Sequence, residues 1–217
     1  MRRLYRKLKF NYSEGGLGRL LQKTISFTLN TLYSESLWKI YIYKGFGDLG
    51  SSESPVQCRT LKYQDLLDAQ YYKVVAFPEE IRSRFDRQNT CYGFYSNENL
   101  AVVGWSSNGY LEIEQGVVFP CPSEVALFDF MTLPEYRGRG LYTNALRYLI
   151  RNIDKTSEPS VYIAVDPNNI PSVKGIQSAG FSPFLCMSRR KILGFVFVSQ
   201  SPAQPDRLAG NSKPAAR

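Results

Sequence analysis

The 217-residue chain contains no histidine. That excludes a Ser-His-Asp triad, a Cys-His dyad and the usual histidine-bearing zinc sites. Cysteine is scarce as well. The four present, Cys58, Cys91, Cys121 and Cys186, are widely spaced and form no C-x-x-C pair. They read as reduced thiols rather than as a disulfide framework or a metal cage, so no metal is expected. No apolar run approaches the roughly 20 residues of a membrane-spanning helix. The basic N-terminus is not followed by the clean apolar stretch of a secretory signal. These absences lead to the expectation of a cytoplasmic protein.

Aromatic residues, by contrast, are plentiful, with 15 Tyr and 13 Phe, and 43% of the chain is hydrophobic. A sizeable core is therefore within reach, and the length suits one domain with an extension. The formal net charge is +8. Such a balance suits a phosphate-bearing ligand, a nucleic acid or an anionic membrane surface. The charges are spread along the chain rather than gathered in one stripe, which ranks nucleic acid low.

Residues 1–10 carry Arg2, Arg3, Arg6, Lys7 and Lys9 and no acid. They read as a solvated basic tail; contact with a membrane surface or another polyanion is the alternative, not the favoured one. Leu17, Leu20, Leu21, Ile25, Leu29 and Leu32 space out an amphipathic helix over 14–33, which would pack on the domain or on a second copy in a homodimer. A strand is expected at 37–43, and a Gly/Ser-rich linker over 45–55. The division expected is thus an extension over 1–54, a domain over 55–200, and a disordered tail over 201–217 that holds prolines and small residues. Within the domain, helices are expected near 62–69 and 79–86. A hairpin should join strands at 91–95 and 100–105, and further strands are expected at 109–119, 124–133 and 161–165. A last hairpin should pair 184–187 with 191–198. Strands first, then alternating strand and helix, argue for an α/β mixed sheet with helices on both faces.

Two stretches carry chemistry. In the first, a strand through Phe128, Asp129, Phe130, Met131 and Thr132 is ended by Pro134. A turn of Arg137, Gly138, Arg139 and Gly140 follows. Leu141, Tyr142 and Thr143 then open a helix whose apolar stripe runs Leu141, Ala145, Leu149. Free N–H groups and the dipole of a helix start form an anion site, glycines let a ligand approach, and arginines add charge. The turn lacks the lysine and Ser/Thr of a nucleotide-triphosphate loop, and its glycine spacing is not that of a dinucleotide fold. In the second stretch a strand at 161–165 leads through Asp166 to a short helix. Asn168 or Asn169 would cap it, Pro171 sits in its first turn, and Ile170, Val173 and Ile176 mark a buried stripe. Gly180 suits the left-handed residue beyond its end.

Together these stretches resemble the GNAT superfamily of acyl-CoA-dependent N-acyltransferases. The phosphate-loop pattern Q/R-x-x-G-x-G/A is matched by Arg137 and Gly140, with Tyr142 where Gly or Ala is usual. The pattern N-x-x-A-x-x-x-Y-x-x-x-G-F is matched by Asn169, Ser172, Gly180 and Phe181, with Ile176 in the tyrosine slot. The resemblance covers about residues 55–200. It implies a GNAT-like fold, a central mixed sheet whose two central parallel strands splay apart, and acetyl-CoA as co-substrate. The pantetheine arm would run along Phe130, Met131 and Thr132. The pyrophosphate would take N–H groups from Gly138 through Thr143, and Asn169 would touch the cofactor from the far side. The acceptor would be a primary amine: a small amine, an amino sugar or a protein amine, with the basic surface leaning toward an acidic one. With no histidine, Asp129 is the first candidate base, its apolar neighbours favouring the protonated form. An arginine-paired or substrate-orienting carboxylate is its alternative role. Glu124, Glu112 and Glu114 are weaker candidates. Tyr142 or Tyr162 could stand in for the missing tyrosine acid, and Trp105 could wall the acceptor pocket or, equally, sit in the core. The competing interpretation is a non-catalytic acyl-CoA-binding or interaction module on the same fold.

Overall fold

A computed structural model describes residues 33–44, 57–68, 78–114, 117–153 and 160–203. The expected basic tail over 1–10, the amphipathic helix over 14–33 except its last residue, and the linker over 45–55 lie outside these residues. Compact units are two: Met1–Leu37 with Met187–Gln200, and Trp38–Cys186 with Ser201–Arg217. The second is the larger and holds both chemistry-bearing stretches.

The larger unit is a mixed sheet with the strand order β2-β3-β4-β5-β6-β1-β7. Its strands are β1 (Tyr33–Tyr43), β2 (Gln57–Leu61), β3 (Thr90–Ser96), β4 (Asn99–Glu114), β5 (Val117–Thr132), β6 (Val161–Val165) and β7 (Ser182–Ile192). The strand expected at 37–43 is present, and its residues Lys39–Tyr43 pair antiparallel with β6. It is thus part of this sheet, although the sequence placed it in the extension. The hairpin expected between 91–95 and 100–105 is also present. Asn97 and Glu98 both hold positive φ, 50° and 64°, as a two-residue turn between twisted strands requires.

Strand 109–119 is a correction. No separate strand exists there; β4 continues to Glu114, and Glu114 then pairs with Val117 at the start of β5. The signal was blurred by Pro120 and Pro122, which strands rarely hold outside bulges. Here Pro122 lies within such a bulge, where the register slips between Asn108 and Gly109 and Ser123 has φ 63°, and Pro120 stands just before it opposite Tyr110.

The helices are α1 (Tyr63–Asp68), α2 (Pro78–Asp86), α3 (Leu141–Asn152) and α4 (Ile170–Ser178). α3 buries Leu141, Ala145, Leu146, Leu149 and Ile150. That face joins Tyr41, Leu127, Val161, Ile163, Ile176 and Phe181 in one apolar cluster. α4 has the expected cap, with Asn169 Oδ1 accepting from Ser172 N at 3.3 Å. Its stripe is shorter than expected, because Ile176 is buried while Ile170 is 52% exposed. Ile170 is the first residue of the helix, so it falls at the rim.

In the smaller unit the described residues belong to the start of β1, the end of β7 and most of β8 (Phe195–Pro202). Strand runs through the basic Arg189 and Arg190 to Ile192, and the turn comes at Leu193-Gly194, with φ 49° and 90°. The expected break at 188–190 therefore does not occur; Arg190 is exposed, whereas Arg189 is half-buried. Arg190 Nε donates to Glu35 Oε1 at 2.8 Å, and the Ser188 and Ser199 hydroxyls pair at 2.8 Å. β8 ends at Pro202, so the first two residues of the expected tail are strand.

Candidate active site

The site begins where the sheet comes apart. β5 and β6 are parallel, but their pairing covers only Val125, Ala126 and Leu127 against Val161, Tyr162 and Ile163. Beyond it the two strands diverge. Residues 128–132 of β5 keep their bonds to β4 on one side, with Val103 opposite Met131 and Val102 opposite Thr132. The edge facing β6 has no strand partner there. An extended ligand could add itself along it.

A second irregularity lies at the same point. Trp105 faces Phe128 while Val103 faces Met131, so two residues of β5, Asp129 and Phe130, share the single position opposite Gly104. This is a β-bulge, and Asp129 takes its left-handed conformation with φ 50°. Aspartate is among the few non-glycine residues that tolerate that region. Gly104 is needed opposite, because a Cβ there would lie 2.3 Å from the Phe130 ring. The bulge also separates neighbours that strict alternation would put on one face. Phe128 stacks toward Trp105 at 6.4 Å, whereas Phe130 packs edge-on to Tyr142 at 6.0 Å.

The turn after β5 is a short 3-10 segment, Pro134–Tyr136, and then the two glycines. Gly138 and Gly140 have φ 75° and 71°, so both need glycine's freedom. Gly140 is the N-cap of α3 and offers no side-chain cap; the first helical bond runs from Asn144 N to Gly140 O at 3.1 Å. The N–H groups of Leu141, Tyr142 and Thr143 are thereby left to a ligand. The arginines are held beside them: Arg137 Nε donates to Thr132 O at 3.2 Å, and Arg139 Nη2 to Glu135 O at 3.0 Å. Tyr142, in the slot where a small residue was expected, turns its ring toward α4. A Cβ on Gly175 would lie 2.6 Å from its Cδ1. The backbone of the turn is therefore not covered by the bulky side chain. Burial pushes the phenol's pKa above its usual value.

These residues line a cavity of about 950 Å³ that takes in Phe130, Met131, Thr132, Arg137 through Thr143, Asn169 and Lys174. Every residue expected to hold the cofactor is gathered here. A second cavity, of about 590 Å³, shares Phe130, Tyr142, Asn169 and Ser172 with the first. Its walls add Trp38, Phe128, Asp129, Asp166 and the charged residues of α2. Among the described residues no cluster of His, Cys, Asp and Glu could hold a metal ion.

Asp129 lies on the wall of this second cavity with its side chain 43% exposed, and Arg84 Nη1 meets its Oδ2 at 2.5 Å. Of the roles considered for Asp129, pairing with an arginine is the one present. Arg84 belongs to no motif or spacing that would single it out in the sequence. It sits 45 positions away on α2, with its guanidinium 5.2 Å from the Trp105 ring and 5.4 Å from the Phe128 ring. Trp105 itself is fully buried and lines neither of the two joined cavities, so of its two expected roles it takes the core one. It lies beneath the site, edge-on to Phe85 and stacked with Phe128, and supports Arg84. Glu112 pairs with Arg87 at 2.9 Å and lines the same cavity as Asp129. Glu124 lines a different cavity, with Thr60, Tyr92 and Asn152. Tyr162 packs against Phe119 and Phe184 and reaches neither of the two joined cavities. Ile176, in the tyrosine slot, is fully buried.

Comparison with known proteins completes the description. The acetyltransferase (GNAT) family pattern matches residues 60–181, more than half of the chain. No curated protein sequence matches it. A conserved protein of unknown function from Staphylococcus epidermidis superposes with a TM-score of 0.52 at 12% identity, over 79% of this chain and 65% of that one. A GNAT-family acetyltransferase from Colwellia psychrerythraea gives 0.51 at 13%, over 84% and 62%. Identities this low speak for the fold. The chain spans less than two thirds of the length of either protein.

Proposed function

Because the chain belongs to the GNAT acetyltransferase family, we propose that it transfers an acetyl group from acetyl-CoA to a primary amine. The observation that carries this reading is the coincidence of three features at one place: the unpaired edge of β5, the uncapped start of α3, and a second cavity opening at the same strand divergence. In this reading the pyrophosphate lies on the N–H groups of residues 138–143, flanked by Arg137 and Arg139. The pantetheine arm runs along Phe130, Met131 and Thr132. Asn169 closes the far side. The acetyl end then points into the second cavity.

The reaction forms a bond from the amine nitrogen to the acetyl carbonyl carbon and breaks the carbon–sulfur bond. The amine must shed a proton, and Asp129 on the cavity wall receives it, directly or through water. Its pairing with Arg84 fixes where that carboxylate stands. The leaving thiolate takes a proton from water or from Tyr142, which lines both cavities. The second reading, an acyl-CoA-binding module without chemistry, draws on Ile176, which offers no hydroxyl in the tyrosine slot. The test is acetyl-CoA-dependent thiol release with a panel of primary amines, together with mass gain on the amine. Asp129→Asn should lower turnover by about a hundredfold or more while acetyl-CoA still binds. Binding without thiol release from any amine favours the module.

A further inference from the structure

The two joined cavities differ sharply in charge. The cofactor cavity is lined by three cations, Arg137, Arg139 and Lys174, and by no acid. The second is lined by five carboxylates, Glu79, Glu80, Glu112, Asp129 and Asp166, against two cations, Arg84 and Arg87. Both of those cations stand against carboxylates of the same cavity. Arg84 pairs with Asp129 at 2.5 Å and Arg87 with Glu112 at 2.9 Å. What remains is Glu79, Glu80 and Asp166, with no ion pair to a described residue. The net character of this end is therefore anionic, in a chain whose overall charge is +8.

Helix stability accounts for part of this. Acids in the first turn favour the dipole of α2, and Asp166 Oδ1 accepts from Asn168 N at 2.8 Å in the turn after β6. Neither fact explains why all three carboxylates border the same cavity while none borders the phosphate cradle. A slot positive at one end and negative at the other orients two ligands of opposite charge toward each other. The aromatic walls, Trp38, Phe128 and Phe130, supply apolar surface between the charged rims and suit a methylene chain.

Resting on the acetyltransferase reading above, we infer that the acceptor is a small di- or polyamine: one amine reacts beside Asp129, and a second ammonium is held at the rim by Glu79 and Glu80. This reverses the preference for an acidic acceptor that the overall charge suggested, because the site is charged against the surface that carries it.

The test compares three acceptors of similar length with the full chain and acetyl-CoA, following thiol release: 1,4-diaminobutane, n-butylamine and 4-aminobutanoate. They differ in carrying a second cation, no second charge, or an anion. The expected kcat/KM falls in that order, with about a tenfold gap at each step at low salt, narrowing as salt screens the rim. Glu79→Gln with Glu80→Gln should collapse the diamine preference to about threefold or less and leave the Kd for acetyl-CoA unchanged. Equal or better use of 4-aminobutanoate would overturn the inference while leaving the acetyltransferase standing. So would turnover of a lysine-containing peptide but of no small amine. Thiol release from no amine at all, with acetyl-CoA bound, would remove the reading beneath it as well.

Discussion

Replacing Arg84 by alanine removes three contacts at once: the ion pair to Asp129 and the stacking over Trp105 and Phe128. The guanidinium side chain is 17% exposed and the carboxylate 43%, so the pair is partly screened. A charge-assisted hydrogen bond contributes about 1.5–3 kcal/mol when well shielded, and partial exposure puts this one near the lower end, about 1.5 kcal/mol. The cation–π contacts add about 0.5–1 kcal/mol. The expected loss is therefore about 2 kcal/mol, which for a chain of this size lowers Tm by roughly 4–8 °C. Arg84→Lys, which keeps the charge without the planar fork, should fall between the two. Urea denaturation of Arg84→Ala, Asp129→Asn and the double variant isolates the pair, with an expected coupling of about 1 kcal/mol. Turnover adds a functional readout, since Arg84→Ala frees Asp129 from its position on the bulge and should lower kcat more than it raises the KM for acetyl-CoA. An Arg84→Ala protein with unchanged Tm, zero coupling and full activity would refute the assignment of Arg84 as the residue that positions Asp129.

Three further outcomes follow from the packing. Gly175→Ala should destabilise by about 1–3 kcal/mol despite alanine's better helix propensity, because its Cβ meets the Tyr142 ring at 2.6 Å; measured in a Tyr142→Ala background the same change should cost little, and a stabilised single variant would contradict the contact. Tyr142→Phe keeps the ring and removes the phenol, so thiol release should slow by about tenfold or more. The folded phenol ionises above the unfolded value of 10.0, so wild type holds its extra proton and loses stability as pH rises past about 10; Tyr142→Phe should show a shallower alkaline loss, and identical slopes would place the phenol in water. Burial pushes the Cys58 and Cys121 thiols up to about 11, so iodoacetamide at pH 8 should label both about a hundredfold more slowly than free cysteine, read by peptide mass spectrometry; fast labelling of either would show it to be exposed.

What the sequence disclosed was local. The turn at Asn97-Glu98, the Asn169 cap, the left-handed Gly180 and the glycines before α3 each act within a few residues, so their signals survive without knowledge of the fold. The cavity proposed to hold the cofactor is lined almost wholly by such segments, which is why its lining residues could be named together from the sequence. The acceptor side is not local. The bulge at Asp129 has no glycine to announce it, and it shifts Phe128 and Phe130 to opposite faces against the period-2 rule. Arg84 meets Asp129 only because α2 packs over β4 and β5, and Trp105 is hidden under it by the same packing. Prolines at 120 and 122 concealed the long β5 because the bulge that holds Pro122 was likewise unannounced. The inverted charge of the acceptor cavity could not be read from a total of charges, since it depends on which carboxylates the fold gathers and which arginines they neutralise.

The central claim is that the slot between β5, α3 and α4 binds acetyl-CoA through its backbone. Calorimetric titration of the full chain with acetyl-CoA, and separately with a nicotinamide dinucleotide, tests it most directly. The account predicts micromolar binding of acetyl-CoA and none of the dinucleotide, with acetyl-CoA affinity lowered about tenfold or more by Gly140→Val, which puts a branched side chain at a φ of 71° and disturbs the start of α3. Absence of acetyl-CoA binding, or binding that Gly140→Val leaves intact, would contradict it.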